Sequence, residues 1–135
     1  MPIVVGYVPT KEGRAALTSA VTEALRRGAS LTVINSTRDE QEGDEAARYE
    51  AEMTGVSERL EQAGLTFDVR RLVNGVEPAE DLIAVAEEID AELIVIGLRR
   101  RTPVGKLILG SNAQRVLLDA PCPVLAVKAA EAAEA

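Results

Sequence analysis

The feature that most restricts the fold of this chain is an alternation of two periods along it. Short apolar runs rich in Val, Ile and Leu occupy 2–8, 30–36, 65–73, 91–97 and 121–129. Each is followed or preceded by a segment whose apolar residues recur at helical spacing. Leu17, Ala20, Val21, Ala24 and Leu25 form one such stripe, stopped at Gly28. Tyr49, Met53, Val56, Leu60 and Ala63 form a second stripe, ended by Gly64. Pro78 suits the first turn of a helix running to about Ile89, and "SNAQRVLLDA" reads as a short final helix. Strands separated by helices require right-handed crossovers, so the expected class is α/β: one five-stranded parallel sheet with helices on both faces. The domain spans 1–128, and 129–135 is a low-complexity tail expected to fray. "LTFDVRRLV" is the most polar of the runs and is expected at a sheet edge.

Composition fits this reading. Hydrophobic residues make up 47% of the chain but aromatics only 2%, so the core must be aliphatic, as buried parallel strands prefer. Fifteen basic against 22 acidic residues give a formal charge of −7, which disfavours nucleic acid or an anionic membrane as a partner of the whole surface. Histidine is absent, which removes the commonest general base and any histidine metal site. The lone Cys122 excludes an internal disulfide and reads as a small buried residue between two prolines. The acidic segment 38–50 lacks a convergent metal spacing and reads as a solvated face. With no signal peptide and no membrane-length apolar run, the expected location is the cytoplasm.

In an open parallel sheet, ligands bind beyond the carboxyl ends of the strands where the winding reverses. The relevant ends are 8–10, 35–37 and the stretch from Gly97 onward. Thirteen residues separate Gly97 from Ser111, long for a strand-to-helix connection. They include Arg99, Arg100, Arg101 and Lys106 and no acidic residue. Glycines at both ends and a helix start at Ser111 are the ingredients of a phosphate cradle. The same residues have a plainer reading, in which Ser111 and Gln114 form a capping box and Gly110 is a turn glycine. A Walker loop is excluded, because seven residues separate Gly97 from Gly105 and Leu107 follows Lys106.

Gly97, two residues, position 100, nine residues and then Gly110-Ser111 resemble the Gly-x2-Gly-x9-Gly-Ser/Thr signature of the universal stress protein family. "PIVVGYVPTKEGRAAL", "NGVEPAEDLIAVAEEIDAELIVIG" and "GSNAQRVLLDAPCPVLAV" are similar to further segments of that family, so the likeness covers nearly the whole chain. The resemblance implies a flavodoxin-like (Rossmann-like) sheet, ATP or another adenine nucleotide as ligand, with or without magnesium, and a homodimer through the last strand, Val124 to Val127. By position, Gly97, Gly110, Ser111 and Asn112 are expected at the phosphates and ribose, Val33 against the adenine, and Pro9 and Thr10 beside it. Two positions depart from the pattern. Arg100 stands at the second signature glycine, and Val8 replaces the usual acid at the end of the first strand. Arg99, Arg100 and Arg101 then either pair with phosphates or, through Arg100, fill the site.

The expected function is an adenine-nucleotide-binding stress-response module without fast chemistry. The alternative is a dimeric scaffold for protein partners, its site closed by Arg100. A slow ATPase or self-phosphorylating enzyme ranks below both, since no general base stands near the loop.

Overall fold

The computed structural model describes residues 1–37, 43–73, 77–98 and 109–129. Along these, the elements alternate: β1 (Ile3–Gly6), α1 (Lys11–Arg27), β2 (Leu31–Thr37), α2 (Gly43–Gln62), β3 (Phe67–Val73), α3 (Pro78–Glu88), β4 (Leu93–Leu98), α4 (Ser111–Asp119) and β5 (Val124–Lys128). All strand pairs are parallel, in the order β3-β2-β1-β4-β5. This is the expected α/β class, and the polar β3 lies at an edge as anticipated. The order also fixes the point of reversal: β1 is flanked by β2 on one side and β4 on the other. The chain winds outward from that junction in both directions.

Side chains alternate across the sheet and divide the core in two. Ile3, Val5, Leu31, Val33, Leu93 and Val95 face α1 and α2, where they meet Leu17, Ala20, Val56 and Leu60. Val4, Ile34, Ile94 and Ile96 face α3 and α4, against Leu82, Val85, Ala86 and Val116. Because both faces are covered, the central strands read as continuous apolar runs rather than alternating ones. The α1 stripe is half alanine: Ala16, Ala20 and Ala24 are fully buried. Small residues there let the helix lie close on the sheet. Leu60 anchors α2 and is fully buried, so its truncation to alanine costs about 2–5 kcal/mol.

Helix ends follow the sequence signals. Thr10 caps α1 by accepting from the Gly13 amide at 3.1 Å, and Gly28 closes it in the left-handed region at φ 64°. Pro78 takes the first turn of α3. Strands are shorter than the apolar runs suggest: β1 stops at Gly6, although the Tyr7 amide still donates to the Ile34 carbonyl at 2.9 Å. Cys122 is half-buried among the residues flanking the α3/α4 core, where desolvation raises its thiol pKa.

Candidate functional site

At the reversal, the segment leaving β1 turns toward α1, and β4 ends beside it at Leu98. Between them lies a cavity of about 290 Å³, lined by Gly6, Tyr7, Val8, Glu12, Gly13, Ile34, Ser36, Pro78, Ala79, Leu82, Ile96, Gly97, Asn112, Ala113 and Val116. Three helices begin at this cavity: α1 through Glu12 and Gly13, α3 through Pro78 and Ala79, and α4 through Asn112 and Ala113. Each helix start carries the positive end of a backbone dipole and outward N–H groups. Their convergence makes an anion-attracting mouth over a floor that Ile34, Leu82, Ile96 and Val116 keep apolar. A ligand with a flat apolar part and an anionic part suits both. A Cβ on Gly6 would stand 3.0 Å from Leu82 Cδ1, so a side chain there would intrude on this floor.

A wider cleft of about 780 Å³ adjoins the cavity, lined among others by Val8, Pro9, Arg14, Asn35, Ser36, Arg48, Tyr49 and Glu52. Val8 and Ser36 border both spaces. Val8 is 43% exposed, an apolar side chain presented to the cleft. Tyr7, almost fully buried, donates its hydroxyl to Glu52 on α2, and Arg14 of α1 pairs with the same carboxylate at 3.6 Å. Burial first, then the bond to Glu52 and its charge, push the Tyr7 phenol well above its ordinary value. The Asn35 amide donates to the Tyr7 carbonyl at 3.0 Å, which ties the end of β2 to the end of β1.

Of the candidate site residues named from the sequence, Pro9, Gly97 and Asn112 line these spaces. Gly97 and Asn112 line the cavity. Asn112 also caps a neighbouring helix: its Oδ1 accepts from the Ala79 amide of α3 at 3.2 Å. Among the described residues its two amide N–H donors have no partner. Gly110 is the N-cap of α4 and Ser111 its exposed first residue, so the capping-box reading is not realised. Gln114 instead donates its side-chain amide to the Leu109 carbonyl at 2.9 Å, and the N-cap carries no side-chain hydrogen bond. Pro9 lines the wider cleft, while the Thr10 hydroxyl is spent on capping α1. Val33 stands apart: it is fully buried in the core facing α1 and α2, and its neighbour Ile34, on the opposite face, lines the cavity. Strand alternation is the reason, since successive residues point to opposite faces. Arg99, Arg100 and Arg101 lie outside the described residues.

Other contributors carried little signal in the sequence. Ser36 lies in the strand end 35–37, but only the packing of α3 reveals that it donates to Asp81, a side chain 6% exposed. Gly13 is equally inconspicuous, yet a Cβ there would fall 1.9 Å from the Val8 carbonyl oxygen. At the surface, Arg115 of α4 lies 2.9 Å from Glu80 of α3, an exposed ion pair that solvent screens. No described helix is long and apolar enough to cross a membrane.

Residues 1–128 match the model of the universal stress protein family. A universal stress protein of Mycolicibacterium smegmatis is 47% identical over 126 residues, covering 93% of this chain and 96% of the relative. Among solved structures, the universal stress protein from Archaeoglobus fulgidus in complex with dAMP aligns with a TM-score of 0.70 at 32% identity, covering 95% of this chain and 98% of the other. A universal stress protein in complex with cAMP aligns with a TM-score of 0.74 at 25% identity, covering 96% and 98%. With the family model matched over 1–128 and a relative 47% identical over 96% of its own length, the chain belongs to the universal stress protein family.

Proposed function

We propose that this protein is an adenine-nucleotide-binding module of the stress response, holding its ligand at the junction of β1 and β4. The observation that carries this reading is the convergence of the α1, α3 and α4 starts on one apolar-floored cavity beyond the carboxyl ends of those strands. The dAMP- and cAMP-bound family members support adenine as the base. Gly110, Ser111, Asn112 and Ala113, at the start of α4, would face the phosphates, and Arg99 to Arg101 are the basic residues the sequence offers to join them. The apolar floor and Val8 would receive the base. ATP, with or without magnesium, is the fullest ligand this arrangement would take. The role is binding rather than turnover, exercised in the cytoplasm.

A dimer completes the proposal. β5 is a sheet edge whose Val124, Leu125, Ala126 and Val127 are half-buried in the single chain. Pairing with β5 of a second copy would satisfy its free backbone groups. Sedimentation of the wild type against a Leu125→Lys variant tests this, a wild-type monomer refuting it.

Calorimetric titration of nucleotide-free protein with AMP, ATP and cyclic AMP, with and without magnesium, tests the nucleotide reading. Saturable binding of at least one at one site per chain supports it. No heat and no retained nucleotide for any of them would leave the protein-scaffold alternative in its place.

A further inference from the structure

We propose that Ser36, held by Asp81, selects the base, by offering the cleft hydrogen-bond acceptors and no donor. This rests on the nucleotide reading above and adds a discriminating residue to it. Ser36 sits at the exit of β2 on the face toward α3 and α4 and borders both the cavity and the wider cleft. Its hydroxyl donates to Oδ2 of Asp81 on the first turn of α3, a carboxylate 6% exposed. A serine hydroxyl has one proton and two lone pairs. With the proton committed to a buried carboxylate, in a charge-assisted bond stronger than one to a neutral group, only the lone pairs are left for a ligand.

Ile34, two residues earlier on the same face, and Leu82, one residue after Asp81, supply the apolar surface against which a flat base lies. The edge of a base resting there meets Ser36. A 6-aminopurine brings an N–H to that oxygen and is bonded. A 6-oxopurine brings a carbonyl oxygen and sets lone pairs against lone pairs. The hydroxyl cannot turn to donate without abandoning Asp81, whose desolvated carboxylate would then lose a partner. Adenine is therefore chosen over hypoxanthine and guanine by a side-chain pair as well as by shape.

Calorimetry on the full chain with AMP, purine riboside 5′-monophosphate (which lacks the 6-amino group) and IMP tests this. Wild type is expected to bind AMP about tenfold more tightly than the amino-free analogue, and IMP more weakly still. Ser36→Ala is expected to bind AMP and the amino-free analogue equally. Asp81→Ala frees the hydroxyl to donate and is expected to narrow the AMP-to-IMP ratio. Circular dichroism verifies folding, and if Asp81→Ala is unfolded the Ser36→Ala ratio alone decides. Should wild type bind AMP yet treat the analogue alike, or should Ser36→Ala keep the wild-type ratio, the Ser36 assignment is overturned and the nucleotide reading stands. If wild type binds none of the three nor ATP, both fall together.

Discussion

The backbone of Glu12 occupies the space that a side chain on Gly97 would need. A Cβ on Gly97 would stand 2.3 Å from the Glu12 carbonyl oxygen and 2.7 Å from its carbonyl carbon. The first turn of α1 thus rests directly on the end of β4. Two elements far apart in sequence meet at the mouth of the cavity because Gly97 carries no side chain at the contact. Gly13 makes the same arrangement with Val8. The glycine of the signature motif has a packing reason here that is independent of any ligand.

Gly97→Ala is accordingly expected to destabilise the protein by about 1–3 kcal/mol, because backbone atoms must move rather than a flexible side chain. Urea denaturation measures this through the transition midpoint. A midpoint equal to wild type would show that α1 slides away from β4 at little cost.

Stability at high pH is expected to fall through Tyr7. Its ordinary value is 10.0, and in the folded protein it is raised, chiefly by desolvation and then by Glu52. The folded state therefore holds the proton more tightly than the unfolded state does. That contribution is fully present below pH 10.0 and is lost as pH rises above it, by at most about 1.4 kcal/mol per pH unit. Tyr7→Phe should flatten the pH dependence between pH 10.0 and the folded value, after Tyr49, also raised by burial, has been controlled with Tyr49→Phe. Parallel curves for wild type and Tyr7→Phe would refute the assignment.

Asn112 holds the Ala79 amide and is proposed to meet the phosphate, and two substitutions separate these roles. Asn112→Ala removes the acceptor for the Ala79 amide and is expected to cost about 1 kcal/mol. Asn112→Asp keeps an acceptor there but places a negative charge where phosphate is proposed to bind. Thermal stability should be retained in Asn112→Asp while AMP affinity drops at least as far as in Asn112→Ala. Equal losses of stability in both variants would remove the capping role.

Arg71 has no hydrogen-bond partner among the described residues for its buried Nε and Nη2, and its guanidinium lies 4.3 Å from the centre of the Tyr49 ring. A desolvated cation with unmet donors costs more than the ring contact returns. Arg71→Met, of similar length and apolar, is expected to be no less stable than wild type. A loss above about 1 kcal/mol in chemical denaturation would show that the cation–π contact outweighs the desolvation.

Much of the fold is legible in the sequence. The run at 91–97 and the stripe of Leu17, Ala20, Val21 and Ala24 carry their period in the sequence, and packing reproduced it as β4 and α1. Boundaries were less legible, as at Tyr7: its β-like neighbours promise a strand to residue 8, but ladder pairing ends at Gly6. Apolar character says that a residue is buried, whereas hydrogen bonding to a neighbouring strand decides where a strand stops. The site was legible as a neighbourhood, in Gly97, Asn112 and the strand ends. It was not legible in the roles of Thr10, Ser111 and Val33, each of which depends on a partner or a face.

By itself the sequence determined the periodicity, the aliphatic two-faced sheet and the family signature, because these are local properties of spacing and side-chain type. The tertiary structure decided which helix starts converge, why Gly97 and Gly13 must be glycine, and that Ser36 meets Asp81. Those are contacts between residues distant in the chain. Their energies come from excluded volume and hydrogen-bond pairing in three dimensions, which no local pattern encodes.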